Sequence, residues 1–425
     1  MMGLKCQDDM SIYRSVVTVV LLSLPVMSSL ATFDEADAHV NAVQLGLRPQ
    51  QLVQQLAAGT LKNELQTCLR TKKVFHSTGF SIGHRGAPLL FPEHTAESYR
   101  AAAAMGAGIL ECDVTFTRDR KLVCRHDQCD LHNTTNILET TLAKKCMRPP
   151  GRQVDGSELE AQCCTSDISL EEFKSLKGIP DRSNLNVRSE DELLESTSTL
   201  RAMLPPKTGG TLLSLSEALQ LFRQLNVGVA PELKSPRVSM PFQGEYSQQD
   251  YATQLVDELE AAGIAAERVW LQSFSYDDVL YWLATYPQYA KQVVYLDDRY
   301  NTEVDKREAV LALDPSLSKI ASDGVRILAP PLFMLLAVEQ GDIVPSAYAR
   351  EARTAGLNLI GWTTERSGSL IDGGGFYYST VQDAISNDGD ILTVVDVLAQ
   401  QVGVIGIFSD WPATTTFYAN CKSTL

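Results

Sequence analysis

Two carboxylates set two residues apart inside an apolar run, Glu111 and Asp113 between Leu110, Cys112 and Val114, are where this sequence first calls for chemistry. If the run is a strand, the pleat turns both carboxylates to one face. Burying them there is costly unless a cation meets them. Glu232 and Lys234, in Pro231-Glu232-Leu233-Lys234, repeat the spacing on a second apolar run. Glu111, Asp113 and Glu232 brought together form an all-oxygen ligand set suited to one divalent cation, Ca2+ or Mg2+. Two further groups stand at the ends of strand-like runs, His84-Arg85-Gly86-Ala87 after Phe80 and His126-Asp127 after Leu122.

The elements that must hold these residues form a repeat. Eight β-rich runs are expected, at Phe80 to His84, Ile109 to Thr117, Val227 to Lys234, Val269 to Phe274, Val293 to Asp297, Arg326 to Pro330, Asn358 to Thr363 and Val404 to Asp410. Amphipathic segments such as Ala96 to Met105, Ser216 to Leu225, Tyr251 to Ala262 and Pro345 to Ala355 lie between many of them. Alternating strand and helix argues for a parallel sheet, and eight units argue for an α/β TIM (β/α)8 barrel. Each candidate group then falls at the C-terminal end of a strand, where such barrels keep their active sites. Leu122 to His126 is expected to be a hairpin extension of the second strand. Three stretches lie outside the repeat: a lead segment at 32–78, a cysteine-containing insertion at 128–210 after the hairpin, and a loop at 365–391 with Gly373-Gly374-Gly375 and three aromatics. Residues 79–425 make up the barrel domain.

A formal charge of −15 opposes binding to nucleic acid or to anionic membrane surfaces. An anionic small-molecule substrate would therefore need a local cluster of Arg, Lys or metal. Residues 1–31 read as a signal peptide, with an apolar run after Arg14 that is interrupted by Pro25 and falls short of a membrane span. Secretion, extracellular or periplasmic, with no stable membrane anchor after cleavage, is the expectation. Cleavage removes Cys6 and leaves eight cysteines, five of them between Cys124 and Cys164, which points to disulfides. No CxxC pair supports the competing zinc reading, and the sequence leaves the connectivity open.

Taken in order, Gly83-His84-Arg85-Gly86-Ala87, Pro92-Glu93-His94-Thr95, Glu111-Cys112-Asp113-Val114 and His126-Asp127 resemble the N-terminal signature of glycerophosphodiester phosphodiesterases. Pro231-Glu232-Leu233-Lys234, Gln272-Ser273-Phe274, Trp362-Thr363 and Ser409-Asp410-Trp411-Pro412 resemble the family's later motifs. The resemblance implies that Glu111, Asp113 and Glu232 hold the metal and that His84 and His126 are the catalytic acid and base. It implies phosphate contacts from Arg85 and Lys234, a glycerol wall from Trp362, and a supporting place for Gln272. The implied reaction is metal-dependent hydrolysis of glycerophosphodiesters, such as glycerophosphocholine or glycerophosphoethanolamine, to glycerol 3-phosphate and an alcohol. Two alternatives stand beside it: a phospholipase D-like lyase acting on intact lipids or lysophospholipids, and a secreted binding protein without turnover. Glu93 reads equally as a site residue or a helix N-terminal charge, His94 as a loop-ordering residue, and Asp410 as a strand-end cap.

Overall fold

The computed structural model describes residues 43–152, 158–159, 161–181, 209–299, 303, 305–367 and 369–422. The signal-peptide reading of residues 1–31 and part of the insertion at 128–210 lie outside them.

Eight strands run parallel in chain order: Thr78–Gly83, Ala107–Phe116, Gly228–Leu233, Gln272–Ser273, Val294–Leu296, Ile327–Ala329, Asn358–Thr364 and Gly406–Ser409. The first pairs with both the second and the eighth, so the sheet closes into the expected barrel. Strand Leu122–Cys124 pairs antiparallel with the second, Cys124 facing Val114, which is the expected hairpin. Along the second strand Ile109 points into the barrel, whereas Leu110, Cys112 and Val114 face the outer helical layer. The same alternation carries Glu111 and Asp113 inward above Ile109. Beneath the mouth Ile82, Ala230, Val294, Ile327, Ile360 and Phe408 plug the interior. The floor of the site is therefore dry and rigid.

Helices cover the outside. Helix Leu215–Gln224 buries Leu215, Ala218, Leu219 and Phe222, one face at three- and four-residue spacing, and begins with a Ser214/Glu217 capping box. Helix Gln248–Ala261 starts the same way with Ser247 and Asp250. The described part of the lead forms helices Arg48–Gln55 and Thr60–Thr71, whose Leu52, Val53 and Leu65 join the outer core. A Cys68–Cys421 disulfide ties the lead to the last helix, Ala413–Lys422.

The insertion has a small core, including Leu131, Ile137, Phe173 and Leu176, that Val123 and Leu212 from outside it help to close. Cys129–Cys164 and Cys146–Cys163 staple it, and Cys112–Cys124 fastens the hairpin to the second strand. All eight cysteines among the described residues are thus paired, leaving none of these for zinc. Among the described residues no helix is long and apolar enough to cross a membrane.

Candidate active site at the barrel mouth

Strand register assembles the carboxylates. Asp113 lies opposite Glu232, and Glu232 opposite Gln272, across three adjacent strands. Ligand oxygens of Glu111, Asp113 and Glu232 come within 4.8 Å of one another. Their other bonds orient them: Glu111 accepts from the Arg85 backbone N–H (3.0 Å) and from Gln272 Nε2 (3.0 Å). Asp113 Oδ2 meets His94 Nε2 at 2.9 Å, and Lys234 Nζ lies 2.6 Å from Glu232 Oε1. Asp113 Oδ1 is buried with no hydrogen-bond partner.

Three carboxylates this close and this dry resist full ionisation. Burial, reinforced by Asp113 and Glu232, pushes Glu111 well above the carboxylate range. Burial and the Asp113 charge push Glu232 up to about 8 against the pull of Lys234. For Asp113 burial acts upward too, but Lys234 and His94 hold it well below the usual value. An added divalent cation would restore charge balance and meet the orphaned Asp113 oxygen. An all-oxygen donor set fits Mg2+ or Ca2+ better than a softer metal.

The turn after the first strand brings in a histidine and an arginine. Arg85 and Gly86 both adopt left-handed conformations, φ 57° and 92°. A Cβ at position 86 would sit 2.4 Å from Ser98 Oγ, the hydroxyl that donates to Arg85 O and accepts from Ala87 N–H. The motif therefore needs glycine there. His84 Nδ1 lies 2.5 Å from Asp410 Oδ1, and its Nε2 is 3.8 Å from Glu111 Oε2. Burial, aided by Arg85 and Arg366 and opposed by Asp410, lowers the imidazole to about 4. A neutral ring donating through Nδ1 to Asp410 leaves its Nε2 lone pair facing the carboxylates. Arg85 Nη1 donates to Glu93 Oε2 at 3.0 Å, and its Nε is 3.7 Å from Asp113 Oδ2. His126 is half-buried across the hairpin, and burial together with Arg85 and Lys234 drives its imidazole well below the usual value.

The profile of the glycerophosphoryl diester phosphodiesterase family matches residues 84–414, most of the chain. The chain belongs to this family. A relative named "Extracellular protein" from Arthroderma benhamiae is 47% identical over 234 residues, 54% of this chain and 94% of its own length. The glycerophosphodiester phosphodiesterase of Haemophilus influenzae is 26% identical over 53% of this chain and 57% of its own. The chain spans less than two thirds of that enzyme. A crystal structure from Silicibacter pomeroyi, assigned as a glycerophosphoryl diester phosphodiesterase, superposes with TM-score 0.54 at 19% identity, covering 82% of this chain and 96% of that one. That likeness shows a shared fold.

Within this family member the structure gathers Glu111, Asp113, Glu232, Gln272, His84, Arg85 and Lys234 at one end of the barrel. Trp362 stands further out, its Nε1 donating to Ala329 O at 2.7 Å and its ring between Phe274 and Tyr377. Four residues do more than the sequence suggested. Glu93 bonds Arg85, and His94 bonds a candidate metal carboxylate as well as Tyr99. Asp410 orients His84, and Arg366 donates to Asp410 at 3.1 Å and to Glu93 at 3.4 Å. The Pro92-Glu93-His94 run carried a signal for the first two. Arg366 carried none, because it reaches the site from an irregular loop.

Proposed function

We propose that this chain hydrolyses glycerophosphodiesters such as glycerophosphocholine or glycerophosphoethanolamine, releasing glycerol 3-phosphate and the free alcohol, with one Ca2+ or Mg2+ bound. The reading rests on one observation above the others: three mutually close carboxylates stand beside a neutral, Asp410-oriented histidine and two buried cations. A cation on Glu111, Asp113 and Glu232 would supply neutralising charge for the phosphoryl oxygens. Arg85 and Lys234 fix the phosphodiester by charge, the role that the net negative field of the molecule cannot fill. His84 Nε2 accepts the nucleophile's proton. His126 delivers a proton to the departing alcohol: burial, with the Arg85 and Lys234 charges, lowers its imidazole, and a bound phosphate offsets those two charges and favours the protonated ring. Gln272 holds Glu111 in place, and Trp362 walls the glycerol moiety.

Four disulfides, together with a relative named "Extracellular protein", support secretion of the mature chain. The deciding test measures glycerol 3-phosphate released from glycerophosphocholine by the purified mature protein, with and without EDTA, beside His84→Ala. Metal-dependent release lost in the variant supports both reaction and site. An untouched substrate with intact metal binding refutes it, in favour of a binding protein or another phosphodiester.

A second reading has its own observation. Rings run outward from the site, Phe274 to Trp362 to Tyr377 to Phe376, with centroids 5.9, 5.8 and 5.1 Å apart, and Phe376 packs back on the buried Phe333 at 5.0 Å. Phe376 is 48% exposed and Ile371 69%. Such a path suits the acyl chain of a lysophospholipid, and turnover of lysophosphatidylcholine in the same assay distinguishes it.

A further inference from the structure

The loop after the seventh strand spends energy to place one residue. Glu365 is left-handed, φ 67°, a strained conformation for a non-glycine residue. Its carboxylate is turned beneath the mouth and fully occupied: Arg48 Nε donates at 2.8 Å from the lead helix, Ser409 Oγ at 2.7 Å, and the Thr414 hydroxyl also donates. These partners come from three separate elements, so they fix the chain direction as it leaves the strand. The next residue, Arg366, is thereby aimed at the site with its side chain only 13% exposed. One guanidinium nitrogen donates to Asp410 Oδ2, while Oδ1 of the same carboxylate holds His84, and a second reaches Glu93, which holds Arg85. A single cation thus braces both carboxylates that orient the candidate base and the candidate phosphate-binding arginine.

We propose that Arg366 is a positioning residue of the phosphodiesterase site, setting His84 through Asp410 and Arg85 through Glu93, and that Arg48 of the lead helix fixes Arg366 through Glu365. The proposal rests on the phosphodiesterase reading for its kinetic consequence but not for its structural one. Without Arg366, Asp410 loses a charged partner and can rotate away from Nδ1, and the His84 ring then loses its fixed tautomer. Arg48 lies in the lead segment, 317 residues before Glu365, so the lead contributes to positioning the site through that bond.

The experiment compares full-length mature Arg366→Met, Arg366→Lys and Arg48→Met with the wild type. Turnover of glycerophosphocholine at saturating metal is measured alongside the 15N shifts of the His84 ring nitrogens. Removing a residue that orients a catalytic group costs on the order of 10 to 100-fold. The expected loss is of that size in kcat for Arg366→Met, with KM little changed, partial recovery in Arg366→Lys, and a smaller loss in the same direction for Arg48→Met. The 15N spectrum is expected to change from a single Nδ1-protonated tautomer to a mixture. A rise in KM at constant kcat would make Arg366 a substrate-binding group and overturn the proposal, as would an unchanged tautomer in Arg366→Met. Should the wild type not turn over this substrate, the phosphodiesterase reading fails while the 15N comparison still decides the positioning claim.

Discussion

Asp130 lies at the foot of the loop that carries His126, where its Oδ2 accepts the Asp127 N–H at 3.2 Å. Its other oxygen is buried with no hydrogen-bond partner. Burial pushes this carboxyl up to about 7, against the pull of Arg125 and with Glu93 and Asp127 adding to the rise. In the unfolded chain an aspartate titrates near ~3.9. Because the folded value is the higher one, the fold binds the proton more tightly. The carboxyl's contribution is full below about pH 4 and is lost as pH rises through about 7. At pH 8 the ionised, buried Asp130 costs on the order of 4 kcal/mol relative to its neutral form. Asp130→Asn keeps the shape and removes the charge, so it should leave stability at pH 4 nearly unchanged and raise it at pH 8. For a domain of this size about 1 °C of melting temperature corresponds to each kcal/mol, giving a gain of roughly 4–5 °C at pH 8. Melting curves of variant and wild type at pH 4, 6 and 8 provide the check, with the difference between the two proteins isolating this group from all other titrations. A difference that does not grow between pH 4 and pH 8 would refute the burial of this carboxyl with one oxygen unbonded.

Gly86→Ala forces a side chain into a left-handed site and against Ser98. It should cost about 2–5 kcal/mol and lower turnover with it, as read from melting temperature and initial rates. Replacing both Cys68 and Cys421 by serine releases the lead helices from the last helix, and chemical denaturation should show a loss of about 2–5 kcal/mol. Adding Mg2+ or Ca2+ to chelator-treated protein should stabilise it by about 2.7 kcal/mol at a hundredfold excess over Kd, and Glu232→Gln should abolish much of that gain. A wild type whose melting point ignores both metals would contradict the proposed centre.

The barrel was legible because its signal is periodic and local. Each strand is a short β-rich run between amphipathic stretches, and the alternation that buries Leu110 and Val114 outward is the same one that turns Glu111 and Asp113 inward. The carboxylate cluster followed because its members share a face and their strands are neighbours, Asp113 against Glu232. Disulfide pairing was not legible, since Cys68 and Cys421 are 353 residues apart and only the closed barrel brings the lead beside the last helix. The contacts of Asp410 and Arg366 within the candidate site were hidden for a related reason. Asp410 reads as a residue ending a strand, and only a closed barrel sets the eighth strand next to the first and so next to His84.

The buried charges at the mouth form a chain in which each group is justified by the next. His84 is held by Asp410, Asp410 by Arg366, Arg366 also by Glu93, Glu93 by Arg85, and Arg85 approaches Asp113. Removing one member of such a chain leaves an uncompensated charge in a dry site, which is far more damaging than the loss of any single surface pair. Glu93, driven well below the carboxylate range by Arg85 and Arg366 despite its burial, shows how strongly the members depend on one another. Only the three carboxylates at the end of this chain lack enough positive charge of their own, and Asp113 keeps an oxygen without a partner. The imbalance falls where a divalent cation would offset it. The loops that carry Glu93 and Arg366 thus hold the candidate site together outside the periodic pattern that revealed the strands.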